Sequence, residues 1–481
     1  MTLPYLVPPW KHQLQAIERA VPRRDFGLFF EMGAGKTMTA INVLRHWYVE
    51  EKRVLRTLVL GPPIVLHNWK REFAMHSKVA DKVVVLEGTG KKRALAVDTY
   101  RKLHGNKAGA VFVTNYESLL MPDVFERLMA WEPEVIVFDE SHKLKSMTAK
   151  RTKLGIKLAD VAKRRLILTG TPILNTPMDI FAQYRVMDQG ETFGKNFFVF
   201  RAQYFYDKNA GMPKDKHFPL WLTRPGALEE LNKKIQPSSM VVKKADCLDL
   251  PPLVRQTVTV ELSKEQEKLY AAMKKDFVAY VQDKACVAQL AITKALRLQQ
   301  IVSGFVTLEG QDGEDRTNVG IKDNPRAAAL KELLSDIAPH SKVIVWAVFR
   351  ENYGAVRHIC EELGLDHVEV HGDVSAKAKQ DAVDRFNSDP SVRVFIGHPA
   401  SGGIGINLVS ASYCIFYSRN FSLENDLQAG ARNYRGGSEM HEKVTRIDIV
   451  ARGTIDELIT EKLAQKMHVS DQILLDLARQ L

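Results

Sequence analysis

The sequence predicts an α/β fold made of two doubly wound parallel-sheet blocks with helical insertions between them. Three observations carry this. The chain of 481 residues is too long for a single hydrophobic core. Short, nearly continuous apolar runs rich in Val and Ile recur in both halves, as suits strands covered on both faces. Amphipathic helical patterns separate them, and alternating strands and helices give parallel sheets with ligands at the carboxyl ends of the strands.

In the first half the strand-like runs are "RTLVLGPP", "KVVVLEG", "AVFVTNY", "EVIVFDE" and "RRLILTG". A segment such as "VLHNWKREFAMH" puts Leu66, Trp69 and Phe73 at helical spacing. The second half repeats the theme with "KVIVWAVF", "HVEVHGD", "RVFIGHP", "YCIFYSR" and "TRIDIVA". The interval between is different. It opens aromatic and basic, "ETFGKNFFVFRAQYFYDK", continues in helical patterns, and includes the polar, turn-rich "LEGQDGEDRTNVGIKDNP". The expected organisation is a first block over 1–185, helical protrusions and a linker over 186–335, a second block over 336–460 and a C-terminal helix over 461–481. The amphipathic "VSDQILLDLARQL" at the end suits a brace or a partner-binding helix.

Lys and Arg outnumber Asp and Glu by 68 to 57, a net charge of +11 that leans toward a polyanionic partner. Cys247, Cys286, Cys360 and Cys414 lie far apart, which argues against a zinc ribbon or a disulfide framework and for a reducing, intracellular setting. The start, "MTLPYLVPPWKHQ", lacks the pattern of a signal peptide, and no uncharged apolar stretch of about 20 residues suggests a membrane span.

Gly33, Ala34, Gly35, Lys36 and Thr37 then read as a phosphate loop. Glycines let backbone N–H groups face phosphate oxygens, and the following "KTMTAINVLRHW" is helical, which sets the anion on a helix N-terminus. Lys36 reaches the β- and γ-phosphates and Thr37 can ligate Mg²⁺. Phe30, six residues before the lysine, stands where the general pattern has a small residue. About 100 residues on, "VIVFDESH" ends a buried strand in two acids. Asp139 suits the Mg²⁺ shell and Glu140 the attacking water, since adjacent buried carboxylates need a cation.

In order along nearly the whole chain, "PPWKHQLQAI", "EMGAGKT", "LGPPIVLHNWKREF", "VTNYESL", "DESH", "LILTGTPILN", "GHPASGGIGINL", "DLQAGARNYRGG" and "GTIDELI" resemble the motifs of the Swi/Snf-related ATPases of helicase superfamily two. The resemblance implies two RecA-like lobes, with ATP and Mg²⁺ as cofactors and Gln13 reading adenine. That family's version of the loop does not require a small residue where Phe30 stands. Gln428, Arg432 and Arg435 have helical spacing, which would turn both arginines to one face. The family reading makes the arginines fingers that sense the γ-phosphate and places Gln428 in the nucleotide site. Two departures stand out: Gly436, Gly437 and Ser438 follow Arg435 in place of the family's R-x-G-Q, and "SRNFSLEND" replaces "DWNPSxD".

The resemblance further implies a nucleic-acid groove touched by Pro62, Asn68, Asn115 and Thr171 of the first lobe and by Gly372, Gly403 and Asn407 of the second. Contacts of this kind go mostly to phosphates, so binding is expected to be independent of sequence and sensitive to salt. The long interval before the second lobe resembles the protrusions with which this family embraces duplexes. The expected function is therefore a monomeric DNA-dependent ATPase, cytoplasmic in a bacterial cell or a virus-infected host. It translocates on double-stranded DNA and remodels protein–DNA or branched structures. The alternatives are a strand-separating helicase, a motor subunit of a defence or restriction assembly, and an interaction module locked by ATP.

Overall fold

A computed structural model describes residues 4–173, 176–213, 217, 219–247, 249–282, 288–308, 317–400 and 406–478. The chain forms two compact units, Met1–Leu248 with Lys466–Leu481, and Asp249–Gln465.

The first unit contains β1 (Asp25–Phe30), β2 (Thr57–Gly61), β3 (Val83–Val85), β4 (Val111–Asn115), β5 (Val135–Asp139) and β6 (Arg164–Leu168). A small antiparallel hairpin, β7 (Phe205–Asp207) and β8 (Trp221–Thr223), follows, and then β9 (Ser239–Val242). Seven of these make one sheet in the order β3-β4-β2-β5-β6-β1-β9, with every pairing parallel. Alternate residues of each apolar run enter opposite cores. On β5, Ile136 and Phe138 join one buried cluster, and Val135 and Val137 join the other. A strand apolar on both sides is stable only when both faces are covered, and each such side chain contributes about 1.5–3 kcal/mol by leaving water.

The second unit holds β10 (Leu253–Val260), a two-stranded antiparallel ribbon of β11 (Phe305–Leu308) and β12 (Thr317–Gly320), then β13 (Lys342–Trp346), β14 (Asp366–Val370), β15 (Val392–Gly397), β16 (Ala411–Phe416) and β17 (Val444–Ala451). Its sheet has the order β10-β17-β16-β13-β15-β14, again all parallel. The same alternation appears: Val343 and Val345 face one cluster, Ile344 and Trp346 the other.

The expected interval of 186–335 does not stand apart. Its strand β9 closes one edge of the first sheet, with Gly27 opposite Ser239 and Phe30 opposite Val242. Strand β10 closes an edge of the second sheet, pairing along all eight residues with β17. The interval is thus divided at residues 248 and 249. The expected C-terminal helix starts earlier and is one helix over Ile455–Ala478, whose last part groups with the first unit.

Candidate active site

The site of the first unit lies at the carboxyl ends of β1, β5 and β6. Because β6 runs between β1 and β5, the turn that follows it separates the glycine loop from the acidic strand tip. Gly33 and Gly35 have φ of 90° and 80°, a region that glycine enters without the Cβ penalty. A Cβ on Gly35 would sit 2.0 Å from Gln13 Nε2, so a side chain there would have to displace the Gln13 amide as well as strain the backbone. Gly35 then caps the helix Lys36–Glu50, whose first N–H groups are unpaired within the helix. Lys36 Nζ donates to the Phe30 carbonyl at 2.8 Å. Phe30 itself is fully buried beneath the loop, edge-on to His12, so a bulky residue here supports the loop from the core.

Gln13, expected to read adenine, is buried against the phosphate loop. Its Oε1 accepts from Trp10 N at 2.8 Å and its Nε2 donates to Ala34 O at 3.4 Å, while His12 Nε2 lies 2.9 Å from the same carbonyl. The structure makes Gln13 a buried clamp on the phosphate loop. The local pattern of a helix start concealed this, because the partner is 21 residues away.

Asp139 is 5% exposed at the tip of β5. Its Oδ2 accepts from Trp69 Nε1 at 2.8 Å and its Oδ1 from Glu140 N at 3.0 Å. Burial, and then the charge of Glu140, push its pKa up to about 6, while Trp69 and Lys36 pull the other way. Glu140 has a left-handed backbone with φ of 51°, a conformation that strains a non-glycine residue by order 1 kcal/mol or more. The strain turns its side chain off the strand line and toward the turn after β6. There Thr169 Oγ1 lies 3.3 Å from Glu140 Oε2 and 2.9 Å from His142 Nδ1, and it accepts from Thr171 N at 3.1 Å. Next to it, a Cβ on Gly170 would lie 3.1 Å from Phe30 O and 3.4 Å from Met32 N, so this turn touches the loop backbone. Loop, acids and threonine turn therefore form one connected site. Thr169 and the Trp69–Asp139 bond were not assigned roles from sequence, and their partners lie 29 and 70 residues away.

The expected nucleic-acid residues fare unevenly. Pro62 opens a short 3₁₀ turn after β2, and Asn68 follows on the helix Leu66–His76, its Oδ1 accepting from Arg71 at 2.6 Å. Asn115 is 8% exposed, caps the 3₁₀ turn Tyr116–Leu120, and its Oδ1 accepts from Ser118 N, Ser118 Oγ and Arg93. Thr171 is also buried, at 7% exposure, as part of the turn that braces Thr169. In the second unit Gly372 and Asn407 are exposed, the latter accepting at its carbonyl from Asn387 at 2.7 Å. Gly403 lies outside the described residues.

Helical spacing does not carry Arg432 and Arg435. The helix Leu423–Gly430 ends before them, and both lie in the turns that follow. Asn433 accounts for the stop, since it is fully buried and donates from Nδ2 to Ala411 O at 3.1 Å, drawing the chain onto β16. Gln428, still on the helix, donates to Glu424 at 3.2 Å. The helix is anchored by Asp426, whose carboxylate takes two bonds of 2.9 Å from Arg446 and one of 3.1 Å from Arg419. Arg446 also bonds Asp448 at 3.0 Å and stacks 3.9 Å above the Phe416 ring. Burial alone would raise the pKa of Asp426, but the two guanidinium groups outweigh it and hold the acid below its ordinary range.

The fold and this site define a class: an α/β enzyme of two parallel-sheet units with a phosphate loop and an acidic strand tip. Residues 23–305 match the SNF2-related domain and residues 325–437 match the helicase conserved C-terminal domain. The chain belongs to the SNF2-related family of ATP-dependent, helicase-type enzymes. It is 25% identical over 469 residues to the CHD3-type chromatin-remodeling factor PICKLE of Arabidopsis thaliana, covering 91% of this chain and 32% of that protein. It is 26% identical over 478 residues to an uncharacterized ATP-dependent helicase of Mycoplasma genitalium, covering 97% and 42%. The chain thus spans less than half the length of these relatives. Among solved structures, the Sulfolobus solfataricus SWI2/SNF2 ATPase core in complex with dsDNA aligns with a TM-score of 0.44 and 23% identity, over 98% of this chain and 95% of that one. Among the described residues no helix is long and apolar enough to cross a membrane.

Proposed function

We propose that this chain is a DNA-stimulated ATPase that moves along double-stranded DNA without sequence preference, as a monomer, and remodels protein–DNA or branched DNA structures. The observation that carries the reading is Asp139. Among the described residues, this buried acid has a Trp69 N–H and one backbone N–H as its donors, and it is set beside a glycine cradle and Lys36. Such an acid calls for a cation. A hydroxyl from Thr37 and the Asp139 carboxylate fit Mg²⁺, which prefers few protein ligands and fills its shell with phosphate oxygens and water. No group of three or more His, Cys, Asp or Glu side chains able to hold a metal ion occurs among the described residues, in keeping with a site that phosphates complete. Bound there, Mg²⁺ would supply charge neutralisation to the triphosphate.

The residue roles follow. Gly33, Ala34, Gly35 and Lys36 hold the phosphates. Glu140 takes a proton from water while the water oxygen bonds to the γ-phosphorus. The bond to the β-phosphate oxygen breaks, and ADP leaves with the electron pair. Arg432 and Arg435 add positive charge to the transferring phosphoryl group. The duplex as track is supported by the names of the relatives, which include a chromatin-remodeling factor and a chromodomain-helicase-DNA-binding protein 1-like. ATP turnover with and without duplex DNA at low salt tests the reading. Stimulation is expected, with displacement of a triplex strand but no unwinding of the duplex. No stimulation would remove DNA from the function, and unwinding would make the chain a strand-separating helicase.

A further inference from the structure

We infer that Arg93 is the seat of a DNA backbone phosphate in the first unit. The inference rests on the duplex-DNA reading above and adds to it a residue and a place.

Arg93 is 9% exposed and lies in the first turn of the helix Gly90–His104. Its Nε donates to Gly88 O at 2.9 Å; its Nη1 donates to Asn115 Oδ1 at 2.7 Å, to Thr114 Oγ1 at 3.4 Å and to Ser118 Oγ. All four acceptors are neutral. Four other deeply buried arginines carry a carboxylate: Arg165 with Asp25, Arg185 with Asp160, Arg326 with Asp456 and Arg446 with Asp426. Arg45, also bonded only to neutral oxygens, has both amino groups occupied, by Asn42 and the Pro4 carbonyl. In Arg93 the Nη2 amino group has no protein acceptor among the described residues, and it is not sealed from the surface. A buried guanidinium without a counter-ion is costly, and its open Nη2 amino group can donate to a phosphate oxygen that supplies the missing charge.

The place suits that ligand. Asn115 is the last residue of β4 and stands in register with Gly61, directly before Pro62, so the guanidinium opens at the carboxyl edge of the sheet one strand from the Pro62–Asn68 segment. Lys91 and Lys92 are exposed beside it. The nearby acid Glu87 is turned to His67 at 2.9 Å. Asn115, expected to touch nucleic acid itself, serves instead to hold the arginine that does.

The experiment is the salt dependence of binding of a short labelled duplex to the full chain. Each phosphate contact neutralised contributes about 0.9 to the slope of log affinity against log salt. Arg93→Gln is expected to make the slope shallower by about 0.9, with circular dichroism reporting whether the fold is kept. The double variant Lys91→Gln, Lys92→Gln, confined to exposed side chains, keeps the test open if Arg93→Gln does not fold; its slope is expected to fall by up to about 1.8. A folded Arg93→Gln protein with the wild-type slope overturns the assignment, as does an unchanged slope in the double variant should Arg93→Gln be unfolded. Absence of binding by the wild type at low salt would instead overturn the duplex reading, and this seat with it.

Discussion

Asp139 and Asp426 are both buried acids, 5% and 8% exposed, and the protein treats them oppositely. Asp426 in the second unit is gripped by two guanidinium groups, and its pKa is held low. Asp139 in the first unit has an indole N–H and a backbone N–H, and its pKa is pushed up to about 6. Depth of burial is therefore no guide to role. An acid saturated by internal cations is part of the frame, and one left short of positive charge is where the proposed function seats its Mg²⁺.

The comparison can be broken at either end. The largest effect is expected from Asp139→Asn or Glu140→Gln, each lowering ATP turnover by roughly three orders of magnitude; the melting temperature of Asp139→Asn should stay level or rise, because a strained buried charge is removed. Asp426→Asn should do the reverse in kind and cost the second unit about 3 kcal/mol in a denaturant melt, since Arg446 and Arg419 lose one of the two carboxylates they share, keeping only Asp448. A stable Asp426→Asn protein would show that the guanidinium groups do not need it.

A smaller effect comes from pH. Glu134, bonded by Arg53 at 2.9 Å and 2.6 Å, is held at about 2 chiefly by that arginine. Its folded pKa lies below the ordinary value of 4.5, so its contribution of roughly 1–3 kcal/mol is present above pH 4.5 and disappears as pH falls toward 2. Asp139 has the opposite sign. Its folded pKa exceeds the ordinary 3.8, so whatever stability it lends is present below pH 3.8 and lost as pH rises through 6. Melts across pH 2–7 should show Glu134→Gln converging on the wild type in acid and Asp139→Asn diverging from it toward neutrality. The smallest effect is that of Trp69→Phe, which removes one donor from Asp139 and should weaken Mg²⁺–ADP binding about tenfold by calorimetry, in the usual range for a residue that orients a metal ligand.

What the sequence made legible was local. Ten apolar runs marked ten of the thirteen strands in the two sheets, because burial on both faces leaves an unbroken Val, Ile and Leu signature. The glycine loop and the acid pair were equally plain, since their chemistry sits in consecutive residues. Strands β1, β9 and β10 were missed: β1 is interrupted by Gly27, β9 is only four residues long, and β10 is a half-exposed edge without a continuous apolar run. The arginine segment was misjudged because the helix is stopped by Asn433 reaching a strand 22 residues upstream. Arg93, Trp69 and Gln13 owe their meaning to partners that spacing does not reveal.

The bond from Lys36 to the Phe30 carbonyl links the loop back to the strand that precedes it. One donor of the loop's ammonium is held by the carbonyl of its own strand, six residues upstream, which ties the side chain to the backbone that forms the cradle. On the proposed function, a phosphate oxygen entering the cradle competes with that carbonyl for the same ammonium.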